Sequence, residues 1–296
     1  MPTRPRAVAL TLPERYATTL SAAAFAHMLD RMIGRDDTLA HPRWRRWLGA
    51  FALVGLLGLA LGLGTVRAEP RCAAPHELLE DDGDLPLTAA AIGRKQPIRI
   101  VAIGGASTAG MGASGAGAAY PARLQTHLAS RLASHTVSVV NKSVARQTAA
   151  EMAARFPADV LAEKPTLVLW ETGAADAVRG IEVDDFSRTL NDGIARLKAA
   201  GADVILVEPQ YAPRTMTLMN LPPYLEAVSM VADGAGVVMF RRFEIMRHWT
   251  EQGRFDMSVK PPALTAEIDA LYDCLGQLIA QLITERLIAD GVTGLR

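Results

Sequence analysis

The stretch that decides the fold is IRIVAIGGASTAG, residues 98–110. Its first half, 98–103, is almost entirely apolar and rich in isoleucine and valine, which predicts a β-strand buried on both faces. Its second half consists of Gly, Ala, Ser and Thr, which predicts a turn directly after the strand. In a parallel α/β sheet, the loops at the carboxyl ends of the strands are where ligands bind. We therefore expect the turn to carry function.

The same alternation of strand-like and helix-like segments continues to the end of the chain. Near-continuous apolar strands separated by helices are typical of a parallel sheet that is covered on both faces. We predict a doubly wound, five-stranded parallel sheet in a three-layer α/β/α domain over residues 97–296. The strands are predicted at 98–103, 137–140, 166–170, 204–207 and 237–240, and the helices at 120–132, 149–163, 186–200, 223–232 and 266–289.

An uncharged run lies well before this domain. Residues 48–66, LGAFALVGLLGLALGLGTV, are long enough to cross a bilayer as one helix. Three Arg and two Trp directly precede the run, and the positive-inside rule then places residues 1–47 in the cytoplasm. An acidic segment, 67–96, is expected to link this transmembrane helix to the outer domain. Gly58 and Gly62 have the spacing of a helix-pairing motif.

Two other interpretations of the run stay open. Small residues near Arg67 resemble a cleavage site, so the run could be a signal peptide, although the segment before it is long for that role. The run could also be a buried core helix, which its complete lack of charge disfavours. We expect an uncleaved anchor.

Composition excludes some classes of function. The formal net charge is zero, which argues against an extended nucleic-acid surface. The His residues are scattered, so neither a metal nor another cofactor is expected. The two cysteines, Cys72 and Cys274, both follow the membrane run. In an oxidising compartment they would form one disulfide, and otherwise they would be two buried thiols.

Three interpretations of the Gly-rich loop, 104–117, compete. A phosphate-binding P-loop is rejected because the loop has no Lys. The match to GxGxxG that begins at Gly110 is weak, because the second strand ends at Asn141 and offers no acid to hold a ribose. The third interpretation is a nucleophilic Ser107 exposed by the sharp turn after the first strand.

Several blocks of the chain together resemble the SGNH (GDSL-type) hydrolases. The segment IVAIGGASTAG…YPARL looks like their first block, with Ser107 at the nucleophile position, while VVNKSVARQTAAEM and TLVLWETGAADAVR are similar to the second and third. VEPQYAP, RFEIMRHW and LYDCLG resemble further stretches of a bacterial, membrane-targeted subgroup. The resemblance covers about residues 72–285. It implies a flavodoxin-like fold and a periplasmic domain anchored in the inner membrane.

The resemblance also implies acyl transfer, in which a Ser attacks an ester, a His accepts its proton and an Asp orients the His. Two backbone N–H groups and an Asn hold the oxyanion. Ser107 is kept, but the oxyanion Gly falls on Arg146, the oxyanion Asn on Ala175, and the Asp and His on Ala263 and Ala266. Loss of one oxyanion donor costs about 10²–10³ in rate.

Other side chains are candidates for a rewired site or for ligand binding. The substitutes for the lost acid and base are His248, Asp176, Asp256, Glu267 and Asp269, and the candidate binding residues are Gly105, Arg146, Gly173, Asp176 and Glu267. Simpler roles compete with these, because Glu267 is also a favourable acid in the first turn of a helix. Arg146 could equally be a solvated loop residue.

The sequence therefore predicts a degenerate SGNH-like domain that is anchored in the membrane. It would act as a binding or scaffold subunit, with other membrane-protein subunits as partners and a polysaccharide or lipid as ligand. The alternative is an esterase or deacylase that uses Ser107 with a rewired base on carbohydrate or lipid O-acyl esters.

Overall fold

The computed structural model describes residues 70–213 and 219–293, which belong to one compact unit, 68–296. All strand pairs of its sheet are parallel, and the strand order is β2-β1-β3-β4-β5. The predicted five-stranded parallel α/β class is confirmed. The strands are β1 (Ile98–Ile103), β2 (Val137–Asn141), β3 (Leu167–Glu171), β4 (Asp203–Val207) and β5 (Val238–Phe240).

Helices cover both faces of this sheet. They are α1 (Pro86–Gly93), α2 (Tyr120–Arg131), α3 (Ala149–Ala154), α4 (Ala174–Arg179), α5 (Val183–Ala199), α6 (Pro222–Ala235), α7 (Arg242–Glu251) and α8 (Ala263–Ala289). One apolar layer contains α1, α2 and α8. The other contains α3, α5 and α6.

Alternation along the strands explains why the sheet is covered on both sides. In β1, Ile98 and Ile100 pack into the first layer, whereas Val101 and Ile103 pack into the second. Side chains along a strand point alternately to opposite faces, so an unbroken apolar run requires two apolar layers. The carboxyl ends of all five strands, and the loops that follow them, lie at one edge of the sheet.

The predicted helix over 149–163 is not continuous. The chain forms α3 up to Ala154, then one π-helical turn at Phe156–Val160 and one 3₁₀ turn at Leu161–Glu163. Pro157 accounts for the break, because proline has no N–H and its ring clashes with the preceding turn of an α-helix.

The segment predicted as a linker, 67–96, packs against the domain over its described part. Leu79, Leu85 and Ile92 are buried in the first apolar layer. The amino end of α1 is held by Asp203 of β4, whose carboxylate accepts the Thr88 N–H at 2.7 Å. The described part of the predicted linker is thus attached to the domain through buried apolar side chains.

The predicted disulfide is present. Cys72 and Cys274 are bonded, with their Cα atoms 4.9 Å apart and 202 positions apart in the chain. The bond joins the segment before α1 to the middle of α8.

The cytoplasmic segment 1–47 and the transmembrane run 48–66 lie outside the described residues. Within the described residues, no helix is both long enough and apolar enough to span a bilayer.

Candidate functional site

Ser107 lies in a tight turn that begins directly after β1. Within this turn, the Gly110 N–H donates to the Ser107 carbonyl at 3.1 Å and the Met111 N–H donates to the Ala106 carbonyl at 2.9 Å. Ser107 itself is 6% exposed. The structure thus has the serine at the sheet edge where the sequence predicted a nucleophile.

A buried carboxylate supports the turn from the end of the neighbouring strand β3. Glu171 Oε2 accepts the Gly105 N–H at 2.6 Å and the Thr108 hydroxyl at 3.0 Å. The Asn141 side chain, at the end of β2, donates to the Thr108 carbonyl at 2.7 Å. Charge-assisted hydrogen bonds of this kind are about twice as strong as neutral ones. The turn is therefore fixed by residues other than Ser107.

Tyr120 and Arg242 extend this polar cluster below the turn. The Tyr120 hydroxyl lies 2.9 Å from Thr108 Oγ1. Burial raises the pKa of Tyr120, although the charge of Arg242 lowers it, so the phenol stays protonated as a donor. The Arg242 guanidinium is fully buried and lies 5.4 Å from the Tyr120 ring centroid. Its Nη2 donates to Gln210 Oε1 at 3.4 Å, while its Nε and Nη1 atoms have no hydrogen-bond partner among the described residues.

No base reaches Ser107 in the described part of the chain. The Ser107 hydroxyl has no hydrogen-bond partner there. The His127 ring lies 3.0 Å from an Asp273 carboxylate oxygen, and the His135 ring contacts the Ile92 carbonyl at 3.3 Å. His248 is half-buried on α7 and forms no hydrogen bond to Ser107. The arrangement lacks the Ser–His contact of a nucleophilic site.

The structure also locates the positions at which the resemblance implies oxyanion and triad residues. Ala175 lies on α4, while Ala263 and Ala266 lie in the first turns of α8. The segment that would carry the Asp and His is therefore helical. Arg146 lies in the loop between β2 and α3, where its φ of 67° is in the left-handed region that favours glycine.

Asp176 and Gly173 have local structural roles. Both carboxylate oxygens of Asp176 accept the Ala149 N–H at 3.1 Å, so Asp176 caps α3 from α4. Burial raises the pKa of Asp176, while hydrogen bonds from the Ala149 and Gly173 backbones lower it. Gly173 is the residue before α4, with a φ of 107°. The structure does not bring Asp176 into hydrogen-bond contact with Ser107.

The remaining acidic candidates are also engaged elsewhere. Glu267 pairs with Arg71 and accepts the Asp256 N–H at 3.1 Å. Asp269 accepts the Ser114 N–H at 2.9 Å, which ties the Gly-rich loop to α8. The Asp256 carboxylate accepts the Ser258 N–H at 2.9 Å, and none of the carboxylates of Asp256, Glu267 and Asp269 is hydrogen-bonded to Ser107.

An apolar cavity of about 490 Å³ adjoins the Ser107 turn on the α8 side. Its walls include Met111 of the turn and residues from the β4 loop, α7, the segment before α8, and α8 itself, among them Tyr211, Met246, Phe255, Ile268 and Leu271. A larger groove of about 1090 Å³ is lined by residues of 76–83, 232–241 and 285–286, none of them from the turn after β1. In the described ranges, no group of three His, Cys, Asp or Glu could hold a metal ion.

A parallel α/β sheet with a serine in the tight turn after one of its strands defines the class, an α/β fold of the serine-hydrolase type. The chain belongs to the non-GDSL lipase-like family, whose model matches residues 71–288. The predicted relationship to SGNH-type hydrolases is thereby confirmed.

Two curated relatives match part of the chain. Esterase TesA of Pseudomonas aeruginosa is 34% identical over 116 residues, which is 38% of this chain and 52% of TesA. Thioesterase 1/protease 1/lysophospholipase L1 of Escherichia coli is 34% identical over 93 residues, or 31% of this chain and 42% of that protein. The chain therefore spans about half the length of the curated relatives it matches.

A solved structure supports the fold. A two-domain esterase (CEX) active on acetylated mannans matches with a TM-score of 0.55 at 18% identity, over 72% of this chain and 55% of that one. At this identity the likeness shows the fold alone.

Sequence reasoning missed the supporting residues of the turn. Glu171 was a detectable signal, because it is a charged residue that directly follows the apolar strand sequence TLVLW. Arg242 was another, since it follows the strand sequence VVMF. Neither signal reveals that Glu171 holds the turn or that Arg242 lies beside the Tyr120 ring.

Proposed function

We propose that this protein is a binding or scaffold subunit whose SGNH-like domain holds a ligand in the Ser107 cleft without hydrolysing it. The proposal rests on one observation. The Ser107 hydroxyl has no proton acceptor within the described residues, although the turn around it is fully supported.

The size of the expected losses in reaction rate favours binding over turnover. Removal of one oxyanion donor lowers the rate about 10²–10³-fold. Removal of triad members costs further powers of ten, and what remains comes from binding and the oxyanion hole. Ala175 and Ala266 stand at positions for which the family resemblance implies a donor and a base. An ordinary Ser–His mechanism would therefore lack its base and one oxyanion donor.

Ester hydrolysis by Ser107 with a rewired base is the second candidate. The retained serine in its supported turn favours it, and so do the esterase and lysophospholipase names of the relatives. On that model the substrate would be an O-acyl ester of a carbohydrate or a lipid.

Turnover of an activated ester separates the two candidates. The full chain is purified in detergent and assayed with p-nitrophenyl acetate beside the Ser107→Ala variant. We expect equal rates, because an unactivated hydroxyl adds nothing to background hydrolysis. Turnover that disappears in Ser107→Ala would establish the esterase instead. TesA under the same conditions controls for the detergent.

For the scaffold role we further propose a membrane anchor at residues 48–66, a periplasmic outer domain and partner subunits in the inner membrane. The disulfide supports an oxidising location for the domain. If the anchor contributes to assembly, a chain that begins at residue 69 should lose partners that co-purify with the full chain. Retention of every partner after truncation would rule out a role for the anchor in assembly.

A further inference from the structure

The chain enters the described domain at a firmly held point. Pro70 is the first described residue, and its carbonyl accepts a hydrogen bond from the Arg254 side chain at 2.8 Å. Arg71 Nε donates to the Arg254 carbonyl at 3.1 Å, and the Arg71 guanidinium lies 4.5 Å from the centroid of the Phe255 ring. The disulfide to α8 follows directly. The entry point is therefore fixed against the segment 252–262, which joins α7 to α8.

Only three residues, 67–69, separate this entry point from the proposed anchor at 48–66. An extended chain covers at most about 3.6 Å per residue, so Pro70 can lie no more than about 15 Å from the end of the anchor. The headgroup layer of a bilayer takes up about 5–8 Å of that distance. A domain of about 230 residues is roughly 45 Å across. The tether therefore allows only the face around the entry point to reach the bilayer.

The segment 252–262 has side chains that suit a lipid surface. Most of its residues are exposed, among them Met257, which is 39% exposed and also lines the apolar cavity beside the Ser107 turn. The segment carries two cations, Arg254 and Lys260, against one acid, Asp256. A flexible thioether packs well in an irregular apolar environment, and cations are attracted to anionic headgroups.

The opposite face of the sheet provides a comparison. Phe255 packs in the first apolar layer, whereas α6 packs in the second. On α6, Met230 is 60% exposed, which is more than Met257. An exposed methionine alone therefore does not identify a membrane-facing surface, and it is the point of chain entry that distinguishes the two faces.

We propose that the segment 252–262 lies on the phospholipid headgroups, so that the apolar cavity beside the Ser107 turn opens toward the bilayer. The inference rests on the proposed membrane anchor and goes beyond it, because an anchor on a long linker would leave the orientation of the domain free. The partner of this surface is the lipid bilayer itself. A ligand dissolved in the bilayer would then reach the cavity without crossing bulk water.

Photocrosslinking from two exposed methionine positions tests this orientation. The photoreactive residue p-benzoylphenylalanine replaces Met257 in one full-length chain and Met230 in another. Both chains are reconstituted into vesicles of phosphatidylethanolamine and phosphatidylglycerol and irradiated, and the intact mass gives the fraction that carries a phospholipid adduct. We expect at least fivefold more adduct from residue 257 than from residue 230, although Met230 is the more exposed side chain.

Three results would overturn the proposal. Equal adducts from both positions would show that the domain has no preferred orientation. A crosslink from residue 257 to a second copy of the chain, in place of lipid, would make this face a protein interface. Release of the parent chain from the vesicles by alkaline carbonate would refute the anchor itself, whereas a retained chain with equal adducts keeps the anchor and loses only the orientation. The two failures are therefore distinguishable.

Discussion

At the scale of single residues, the groups that shape the Ser107 turn differ from those that would perform chemistry. Glu171, Thr108 and Asn141 fix the turn by hydrogen bonds to its backbone and to one another. None of these contacts needs a histidine or an oxyanion donor. The turn can therefore keep its form without a histidine or an oxyanion donor, which is compatible with the proposed non-hydrolytic role.

The support from Glu171 leaves no room for a side chain at Gly104. A Cβ there would lie 2.6 Å from Thr108 Oγ1 and 2.9 Å from Glu171 Oε2. We expect Gly104→Ala to lower the free energy of unfolding by about 2 kcal/mol, because the buried network must shift to accept a methyl group. Urea denaturation measures the change. Gly117→Ala is the control, since nothing lies within 4 Å of its Cβ; equal effects of both substitutions would refute the close packing.

Glu208 should make stability depend on pH. Burial raises the pKa of its carboxyl from 4.5 to about 7, against the lowering effect of the Phe243 N–H that it accepts. Between these values the folded chain keeps a proton that the unfolded chain releases. The resulting stabilisation is complete below pH 4.5 and is lost as the pH rises through 7.

Glu208→Gln removes this titration but keeps an oxygen for the Phe243 N–H. Relative to the parent chain, the variant should therefore gain about 3 kcal/mol of unfolding free energy between pH 4.5 and pH 8. Urea denaturation at the two pH values gives the difference. The exposed Glu226→Gln serves as control, and a pH-independent difference for Glu208→Gln would contradict the raised pKa.

At the scale of secondary-structure elements, α8 contains the two positions at which the resemblance implies the catalytic Asp and His. The helix begins at Ala263, so Ala263 and Ala266 belong to its first turns. Contacts from α8 to the Ser107 loop are structural: Asp269 accepts the Ser114 N–H and the Tyr272 hydroxyl donates to the Met111 carbonyl, both at 2.9 Å. The helix thus holds the Ser107 loop and lines the apolar cavity beside it.

The disulfide ties the segment before α1 to α8, and reduction should loosen both. Loss of this bond should lower the free energy of unfolding by about 2–5 kcal/mol, because it closes a very long loop in the unfolded chain. Thermal unfolding with and without reductant measures this effect. With or without reductant, the Cys72→Ser/Cys274→Ser chain should unfold at the same temperature as the parent chain in reductant. A melting temperature that ignores reductant in the parent chain would show that the bond contributes nothing.

The strands could be predicted because their pattern is local in the sequence. The residues that support the site could not, because they come from distant parts of the chain. A buried parallel strand such as Ile98–Ile103 is recorded locally as an apolar run, and Ser107 is recorded as a turn after it. The cluster of Glu171, Tyr120 and Arg242 joins residues far apart in the chain, and no local pattern encodes their contact. The sequence did not predict that α1 packs against the domain, because acidic residues precede its few apolar residues and the segment looked like a linker.

At the scale of the whole molecule, we propose that a domain with the fold of a hydrolase binds a ligand and does not hydrolyse it. The family assignment covers residues 71–288, and the proposed anchor precedes that range. Such a chain would bring a ligand-binding cleft to the membrane surface, where partner subunits could use it. This role requires an intact Ser107 turn and places no demand on the serine as a nucleophile.

Covalent labelling of Ser107 shows whether a neighbouring base activates this serine. A fluorophosphonate reacts with a serine that a neighbouring base activates, so the intact mass of the full chain after exposure reports activation without any choice of substrate. We predict an unmodified mass for this chain under conditions that fully label TesA. A single adduct that maps to Ser107 and is absent from Ser107→Ala would contradict it.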